Sequence, residues 1–206
     1  MCELLVTAPD RTGLFASLTA AIARCGADIV DARVNTTRDG HAFDVFSLQS
    51  IEGRAFAEGD DRALAALIAR VRAAAAANVA PPETAPASRR AAAFAITPWV
   101  RFDNDSRADA TLIEVSGRDR PGLLADLAFA LAERGLSIES AHIDSRGARA
   151  EDAFYVRTPE GGRVADAGQL ADLRARLIAV LQAHEPKAPS DPARRALAVA
   201  QASDAR

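Results

Sequence analysis

The stretches A-P-D-R-T-G-L at residues 8–14 and G-R-D-R-P-G-L at residues 117–123 decide the fold, because one loop occurs twice. The offset of 109 residues between Asp10 and Asp119 persists along the chain. Identical residues then meet in the pairs Leu18 and Leu127, Ala21 and Ala130, Gly26 and Gly135, Ile29 and Ile138, and Ala32 and Ala141. After a shift of one residue in a turn, D-V-F at 44–46 aligns with D-A-F at 152–154. This register indicates two copies of one module.

Each copy has the same order of predicted elements. A short apolar run precedes the loop and predicts a strand, and apolar residues at helical spacing follow it. Gly26 and Gly135 stand where a helix ends in a left-handed residue. An alternating strand, a polar turn, a second strand and an amphipathic helix complete the copy. The predicted strands cover 3–7, 29–35, 42–48, 111–116 and 153–157, and the closing helices cover 62–77 and 169–183.

The order β-α-β-β-α is the ferredoxin-like split βαβ arrangement without its final strand. Residues 98–104 alternate in polarity and are the candidate for that strand. They can complete the first module, or form a hairpin with residues 111–116 at the edge of the second. We therefore predict an α+β fold of two ferredoxin-like βαββαβ modules with antiparallel sheets, one of which lacks or shares its last strand.

The domain bounds follow from this order and from composition. The segment A-P-P-E-T-A-P-A-S-R-R at residues 80–90 has three prolines and no apolar period, which is typical of a linker. We predict a first module at 1–79, a linker at 80–96, a second module at 97–184 with its preceding strand at 97–104, and a disordered tail at 185–206.

Composition excludes several classes of protein. A hydrophobic fraction of 49% and a charged fraction of 26% are those of a globular protein. The net charge of −3 argues against a nucleic-acid partner, and no apolar run approaches the roughly 20 residues that span a bilayer. Met1 leads almost directly into a strand, and Cys2 and Cys25 are isolated thiols rather than a metal cluster. We expect a cytoplasmic protein without a membrane or nucleic-acid partner.

The repeated loop has a structural and a functional interpretation. Structurally, Asp10 and Asp119 would N-cap the next helix, Pro121 would suit its first turn, and Gly13 and Gly122 would allow close packing on the sheet. Functionally, a helix N-terminus offers free N–H groups and partial positive charge to a carboxylate, while a neighbouring carboxylate or carbonyl takes an ammonium group. An α-amino acid carries both charges. Each loop arginine could hold a ligand, bridge the two modules or face water, and the default expectation is that it faces water.

D-R-x-G-L between a first strand and a first helix, followed by G-x-x-I and a strand, resembles the ACT domain. The tandem arrangement, with P-W-V-R-F-D-N at residues 98–104 and V-S-G-R-D-R-P-G-L-L at 115–124, more narrowly resembles the C-terminal regulatory region of the bifunctional PII uridylyltransferase/uridylyl-removing enzyme family. The resemblance covers residues 3–183. It implies that the chain binds glutamine and that this ligand controls the uridylylation and deuridylylation of PII proteins by the attached enzyme.

Carried over to this sequence, the resemblance places the ligand in the two loops and at the facing starts of the second strands. An asparagine is common at the position of Asp28, so this aspartate departs from the pattern and the two sites need not bind equally. The implied ligand-binding residues are Asp10, Arg11, Thr12, Gly13, Leu14, Asp28, Ile29, Asp119, Arg120, Pro121, Gly122, Leu123, Ser137 and Ile138.

The catalytic motifs of that enzyme family are not found in the sequence. A nucleotidyltransferase needs a Gly-Ser loop followed by closely spaced aspartates that hold Mg²⁺, and the phosphohydrolase needs a His/His-Asp/Asp metal cluster. The chain has three histidines, none with an adjacent aspartate, and His142 is expected to pack beside a strand. We expect no catalysis, metal or cofactor in this chain, whereas the parent enzyme would need Mg²⁺. An excised region, a truncated frame and a free-standing protein remain alternatives.

Two other classes of function compete with the sensor. A protein-interaction module would use an open sheet edge to form a homodimer and would bind no ligand. An RNA-binding module would share the βαββαβ order, but the sheet lacks aromatic residues for base stacking and the net charge has the wrong sign. The sequence therefore favours the amino-acid sensor.

Overall fold

The computed structural model describes residues 2–50, 52–77, 96–146 and 148–183. Nearly all of the predicted linker at 80–96 and the whole predicted tail at 185–206 lie outside these residues. Both cysteines are free thiols. Within the described residues, no helix combines the length and apolar character needed to cross a membrane.

The two modules form the predicted elements in the predicted order. The first contains β1 (Cys2–Pro9), α1 (Leu14–Ala23), β2 (Ala27–Arg33), β3 (His41–Ser50) and α2 (Asp61–Ala76). The second contains β4 (Trp99–Asp103), β5 (Thr111–Arg118), α3 (Leu123–Ala132), β6 (Ser137–Arg146), β7 (Arg149–Arg157) and α4 (Ala167–Gln182). The predicted α+β fold of two ferredoxin-like modules is confirmed.

The seven strands form one sheet in the order β1-β3-β2-β6-β7-β5-β4, and every neighbouring pair is antiparallel. The modules join where β2 meets β6, with Arg33 opposite His142. His142 is thus a strand residue at the junction, and its side chain is 70% exposed. The antiparallel junction relates the two modules by an approximate twofold rotation, so equivalent elements face one another across it.

The strand at residues 99–103 pairs with the second module. β4 lies against β5 along its whole length, from Trp99 opposite Ser116 to Asp103 opposite Leu112. The structure therefore selects the hairpin placement of the two that the sequence leaves open. At the other end of the sheet, β1 pairs with β3 and has no second strand beside it among the described residues.

One hydrophobic core extends through both modules. Phe46 on β3 and Phe154 on β7 occupy equivalent positions and are completely buried, and the Phe46 ring stacks on Phe15 of α1 with 5.8 Å between centroids. Helices α1 and α3 pack against each other across the module boundary and bury most of their residues. Burying a large apolar side chain contributes about 1.5–3 kcal/mol, so the boundary is part of the core and not a flexible joint.

Phe46→Ala is expected to lower the free energy of unfolding by about 3–5 kcal/mol, because it leaves a cavity beneath α1. Phe43 lies three residues earlier on β3 with 47% of its surface exposed, so Phe43→Ala is the matched control and should cost about 1 kcal/mol or less. Urea unfolding followed by circular dichroism measures both variants. Equal losses would contradict this assignment of the core.

Candidate functional site

Each repeated loop ends in a glycine with left-handed backbone conformation. Gly13 (φ 80°) and Gly122 (φ 79°) are the N-cap residues of α1 and α3, and no side chain that the structure describes caps either helix. The prediction that Asp10 and Asp119 are N-caps is wrong, because each lies three residues before the N-cap glycine. Pro121 also precedes the helix instead of lying in its first turn. The N-termini of both helices therefore retain main-chain N–H groups without a side-chain acceptor.

Asp10 holds its loop against the turn between β2 and β3. Its N–H donates to the carbonyl of Gly40 at 2.8 Å. Its Oδ1 accepts from the N–H of Arg11 at 2.8 Å, and its Oδ2 accepts from the Thr36 hydroxyl at 2.7 Å. The N–H of Asp119 makes the equivalent bond to Ala148 at 3.0 Å. The side chain of Asp10 thus positions the first loop, and the main chain of Asp119 makes the equivalent contact in the second.

Both loop arginines bind the end of the last helix of their own module. Arg11 donates to the carbonyl of Ala74 in the last turn of α2 and to that of the C-cap residue Ala77. Arg120 donates to the carbonyl of Val180 in α4 at 3.4 Å and pairs with Asp126 at 2.6 Å. A cation is stabilised at a helix C-terminus, where carbonyl groups lack partners. The expectation that these arginines face water is therefore wrong.

Each loop lines a solvent-open cleft whose opposite wall comes from the other module. Cleft A lies between the second loop and the start of β2 in the first module. Its empty volume, including space open to solvent, is about 390 Å³. Of the predicted residues, those that line it are Asp28, Ile29, Asp119, Arg120, Gly122 and Leu123. Thr19 and Ala23 of α1, which were not predicted, also line it.

Cleft B is the equivalent space on the other side of the approximate twofold axis, with an empty volume of about 330 Å³ measured in the same way. The predicted residues that line it are Asp10, Arg11, Gly13, Leu14 and Ile138, together with Ala128 and Ala132 of α3. Thr12, Pro121 and Ser137 are not lining residues of either cleft. The structure thus brings each loop to the strand that follows the first helix of the opposite module, which is β2 in the first module and β6 in the second.

The strand that forms the opposite wall, β2 in cleft A and β6 in cleft B, has an irregular register in both clefts. The register of β2 against β3 shifts between Ile29 and Asp31, and that of β6 against β7 shifts between Ile138 and Ser140. A bulge of this kind bends the strand and re-aims its side chains. Asp28 stands just before the bulge in cleft A, where its Oδ2 accepts from the Gln49 amide at 3.2 Å.

Two buried carboxyl groups, which the sequence reasoning missed, complete the clefts. Asp44 on β3 lines cleft B and Asp152 on β7 lines cleft A, with exposed fractions of 1% and 4%. Burial is the main cause that raises the pKa of each to about 7, and the nearby Asp10 or Asp119 raises it further. A signal was available in the sequence, because an aspartate occupies the same inward-facing strand position in both copies.

The environment of these two carboxyl groups is also equivalent. Asp44 accepts a hydrogen bond from the main-chain N–H of Asn35, and Asp152 accepts one from that of Asp144. The Oδ1 atom of each is buried and has no hydrogen-bond partner among the described residues. A buried polar atom without a partner is rare, so each cleft contains an unsatisfied acceptor.

Comparison with known proteins agrees with this architecture. Residues 111–178, most of the second module, match the family model of the ACT domain. The second of the two ferredoxin-like modules therefore matches an ACT domain.

Over nearly its whole length the chain is similar to part of a longer enzyme, the bifunctional uridylyltransferase/uridylyl-removing enzyme. It is 49% identical to that of Caulobacter vibrioides (99% of this chain, 22% of the relative). It is 46% identical to that of Phenylobacterium zucineum (87% and 19%) and 40% identical to that of Azospirillum brasilense (87% and 20%). The predicted resemblance is confirmed, and the chain spans about a fifth of the length of these curated relatives.

The double variant Asp44→Asn/Asp152→Asn should become more stable relative to wild type as pH rises from 5 to 8. A carboxyl of the unfolded chain has a pKa of about 3.9, so the folded protein, with both values at about 7, holds more protons between these limits. The contribution of these two groups to the free energy of unfolding therefore falls as pH rises towards 7 and is fully lost above pH 7. Asparagine does not ionise, so the double variant lacks this loss. The expected difference is on the order of 2 kcal/mol per carboxyl.

Urea unfolding at pH 5 and pH 8 measures this difference. Asp61→Asn makes the same chemical change at an exposed position of α2, so it should follow the wild-type dependence on pH. A double variant that also follows the wild-type dependence would show that the two carboxyl groups are already ionised at pH 5.

Proposed function

We propose that the chain is an amino-acid-sensing regulatory pair of ACT modules, with glutamine as the ligand. The observation that carries the proposal is that each cleft joins a helix N-terminus of one module to the start of the second strand of the other. An α-amino acid has a carboxylate and an ammonium group on one carbon. The N–H groups beyond Gly13 or Gly122 suit the carboxylate, and the carboxyl groups of the cleft suit the ammonium.

The position of the clefts supports an allosteric role. A ligand that touches both modules favours the arrangement in which its two contacts coexist, and it shifts the population by its difference in affinity between states. Arg11 and Arg120 link the loops to the ends of α2 and α4. A ligand-induced shift of a loop would therefore reach the end of the last helix of its module.

In this proposal the attached enzyme responds to glutamine as a signal of nitrogen status. Glutamine would turn the enzyme from adding UMP to PII proteins towards removing it, in the cytoplasm. PII and Mg²⁺ would bind elsewhere in the enzyme, and this chain would contribute regulation without catalysis. The supporting observation is the 49% identity to a bifunctional uridylyltransferase/uridylyl-removing enzyme over 99% of the chain.

The two clefts are expected to have unequal affinities. Cleft A contains the Asp28 carboxylate from the opposite module in addition to Asp119 and Asp152. At the equivalent position the second module has Ser137, which does not line cleft B. An aspartate repels a ligand carboxylate and attracts an ammonium group, so a ligand would adopt a different balance of contacts in each cleft.

Isothermal titration of the chain with the twenty amino acids should give saturable heat with glutamine. Gly122→Ala and Gly13→Ala should each weaken binding in one cleft, because a side chain disfavours the left-handed conformation at the N-cap. Gly161→Ala is the matched control: it has a positive φ of 83° with open space around it, and it lies outside both clefts. Silence with glutamine and a clear response to another amino acid would defeat the assignment of the ligand.

A protein-interaction role is the second candidate, and the open edge of β1 favours it. In the described part of the chain β1 pairs with β3 alone, and Leu5 and Phe43 on these strands are 56% and 47% exposed. An unpaired strand with apolar residues nearby can pair with another chain. This role predicts dimerisation that depends on protein concentration and is unchanged by amino acids, which static light scattering measures. A monomer at all concentrations would exclude it.

A further inference from the structure

We propose that Asp44 and Asp152 are the groups that receive the ammonium of the ligand, one in each cleft, and that the ligand displaces a proton from them. This inference rests on the proposed function, since it assumes an amino-acid ligand. It assigns the ammonium to two buried carboxyl groups on β3 and β7 in place of the carboxylates of the loops or of Asp28.

Asp44 and Asp152 each have an unsatisfied hydrogen-bond acceptor. Asp44 and Asp152 have exposed fractions of 1% and 4%, and the Oδ1 atom of each has no hydrogen-bond partner in the described part of the chain. Their other contact is a main-chain N–H on the preceding strand or turn. A buried acceptor that lines a cleft and lacks a donor is suited to a donor that arrives with the ligand.

The carboxylates of Asp10 and Asp28, which could also bind the ammonium, already accept hydrogen bonds. Both oxygens of Asp10 accept hydrogen bonds, from the N–H of Arg11 and from the hydroxyl of Thr36. Asp28 accepts from the side-chain amide of Gln49 and is half-buried, so water screens its charge. These groups shape the cleft and add negative potential, but an ammonium would have to share them with existing donors.

The charged groups of cleft B also favour a cation beside Asp44. The charged residues that line cleft B with Asp44 are Asp10 and Arg11. The Arg11 guanidinium points to the carbonyls at the end of α2, so it does not neutralise the pair of carboxyls directly. A cation in the cleft would relieve the repulsion between Asp10 and Asp44, which is one cause of the raised pKa of Asp44.

Cleft A has the same balance with more acidic groups. The charged residues that line it with Asp152 are Asp28, Asp119 and Arg120, and Asp144 on the neighbouring strand β6 also raises the pKa of Asp152. Arg120 is paired with Asp126 on α3 at 2.6 Å. The negative potential of the cleft A carboxyl groups would attract a bound ammonium towards Asp152.

The raised pKa gives the proposal a measurable consequence. Each carboxyl has a pKa of about 7 in the chain without ligand, so near pH 6.5 it is largely protonated. An ammonium beside it stabilises the ionised form and lowers this pKa, so binding transfers the carboxyl proton to the buffer. Affinity should rise as pH increases from 6 to 7 and level off above about 7.5.

The test compares two ligands in five proteins by isothermal titration. The ligands are L-glutamine and 4-carbamoylbutanoate, which is glutamine without its α-ammonium. The proteins are the wild-type chain, Asp44→Asn, Asp152→Asn and the double variant, with Asp61→Asn as the control for the removal of a carboxyl. Titrations at pH 6.5 in two buffers of different protonation enthalpy count the protons released.

The proposal expects each single variant to weaken glutamine binding in one cleft by about 10- to 100-fold, the effect of a lost charge-assisted hydrogen bond. The double variant should lose the preference for glutamine over 4-carbamoylbutanoate, and Asp61→Asn should keep it. The wild type should release protons on binding glutamine. The double variant should release none. Asparagine has the shape of aspartate, so the variants should keep the far-ultraviolet circular dichroism of the wild type.

Three results would overturn the proposal, and they distinguish its failure from that of the proposed function. If the wild type binds glutamine and the double variant binds it equally well, the ammonium is held elsewhere and only this inference fails. The same conclusion follows if wild-type binding releases no proton. If the wild type binds neither compound, the assignment of glutamine in the proposed function fails together with this inference.

Discussion

The packing of α1 against α3, together with the antiparallel contact of β2 with β6, is the constraint on which the rest of the structure depends. It relates the modules by an approximate twofold rotation. Each loop is thereby brought to the second strand of the other module, and neither cleft is complete in one module alone. The same contact buries the apolar faces of both helices, so the geometry of the clefts is maintained by the hydrophobic core.

The clefts concentrate opposite electrostatic features within a few residues. A helix N-terminus capped by glycine contributes N–H groups, while a buried carboxyl on the strand behind it contributes an acceptor that has no partner within the described residues. The loop arginines do not neutralise this acceptor, because they bind carbonyl groups near the ends of α2 and α4. The arrangement therefore keeps an imbalance of charge at the junction of the modules, which a zwitterion of suitable size would relieve.

The order of the elements could be read from the sequence because it depends on local signals. Gly26 and Gly135 have the positive φ angles expected after a helix, and the apolar residues of α1 and α3 are buried as their spacing predicts. The roles of Asp10 and Arg11 could not be read in this way. An aspartate that caps a helix and one that positions the preceding loop differ in sequence position by only about one turn of backbone. The partner of Arg11 at Ala74 lies 63 residues away in the sequence.

The sequence by itself determined that two copies of one α+β module are present and that one loop motif occurs in both, because repeats, turns and amphipathic periods are local properties of the chain. Only the tertiary structure decided which module receives β4, that the two sheets become one, and that Asp44 and Asp152 face clefts built by both modules. These outcomes depend on contacts between distant residues, whose geometry no local pattern encodes. Burial then changes the chemistry of two aspartates whose type alone suggested an exposed charge.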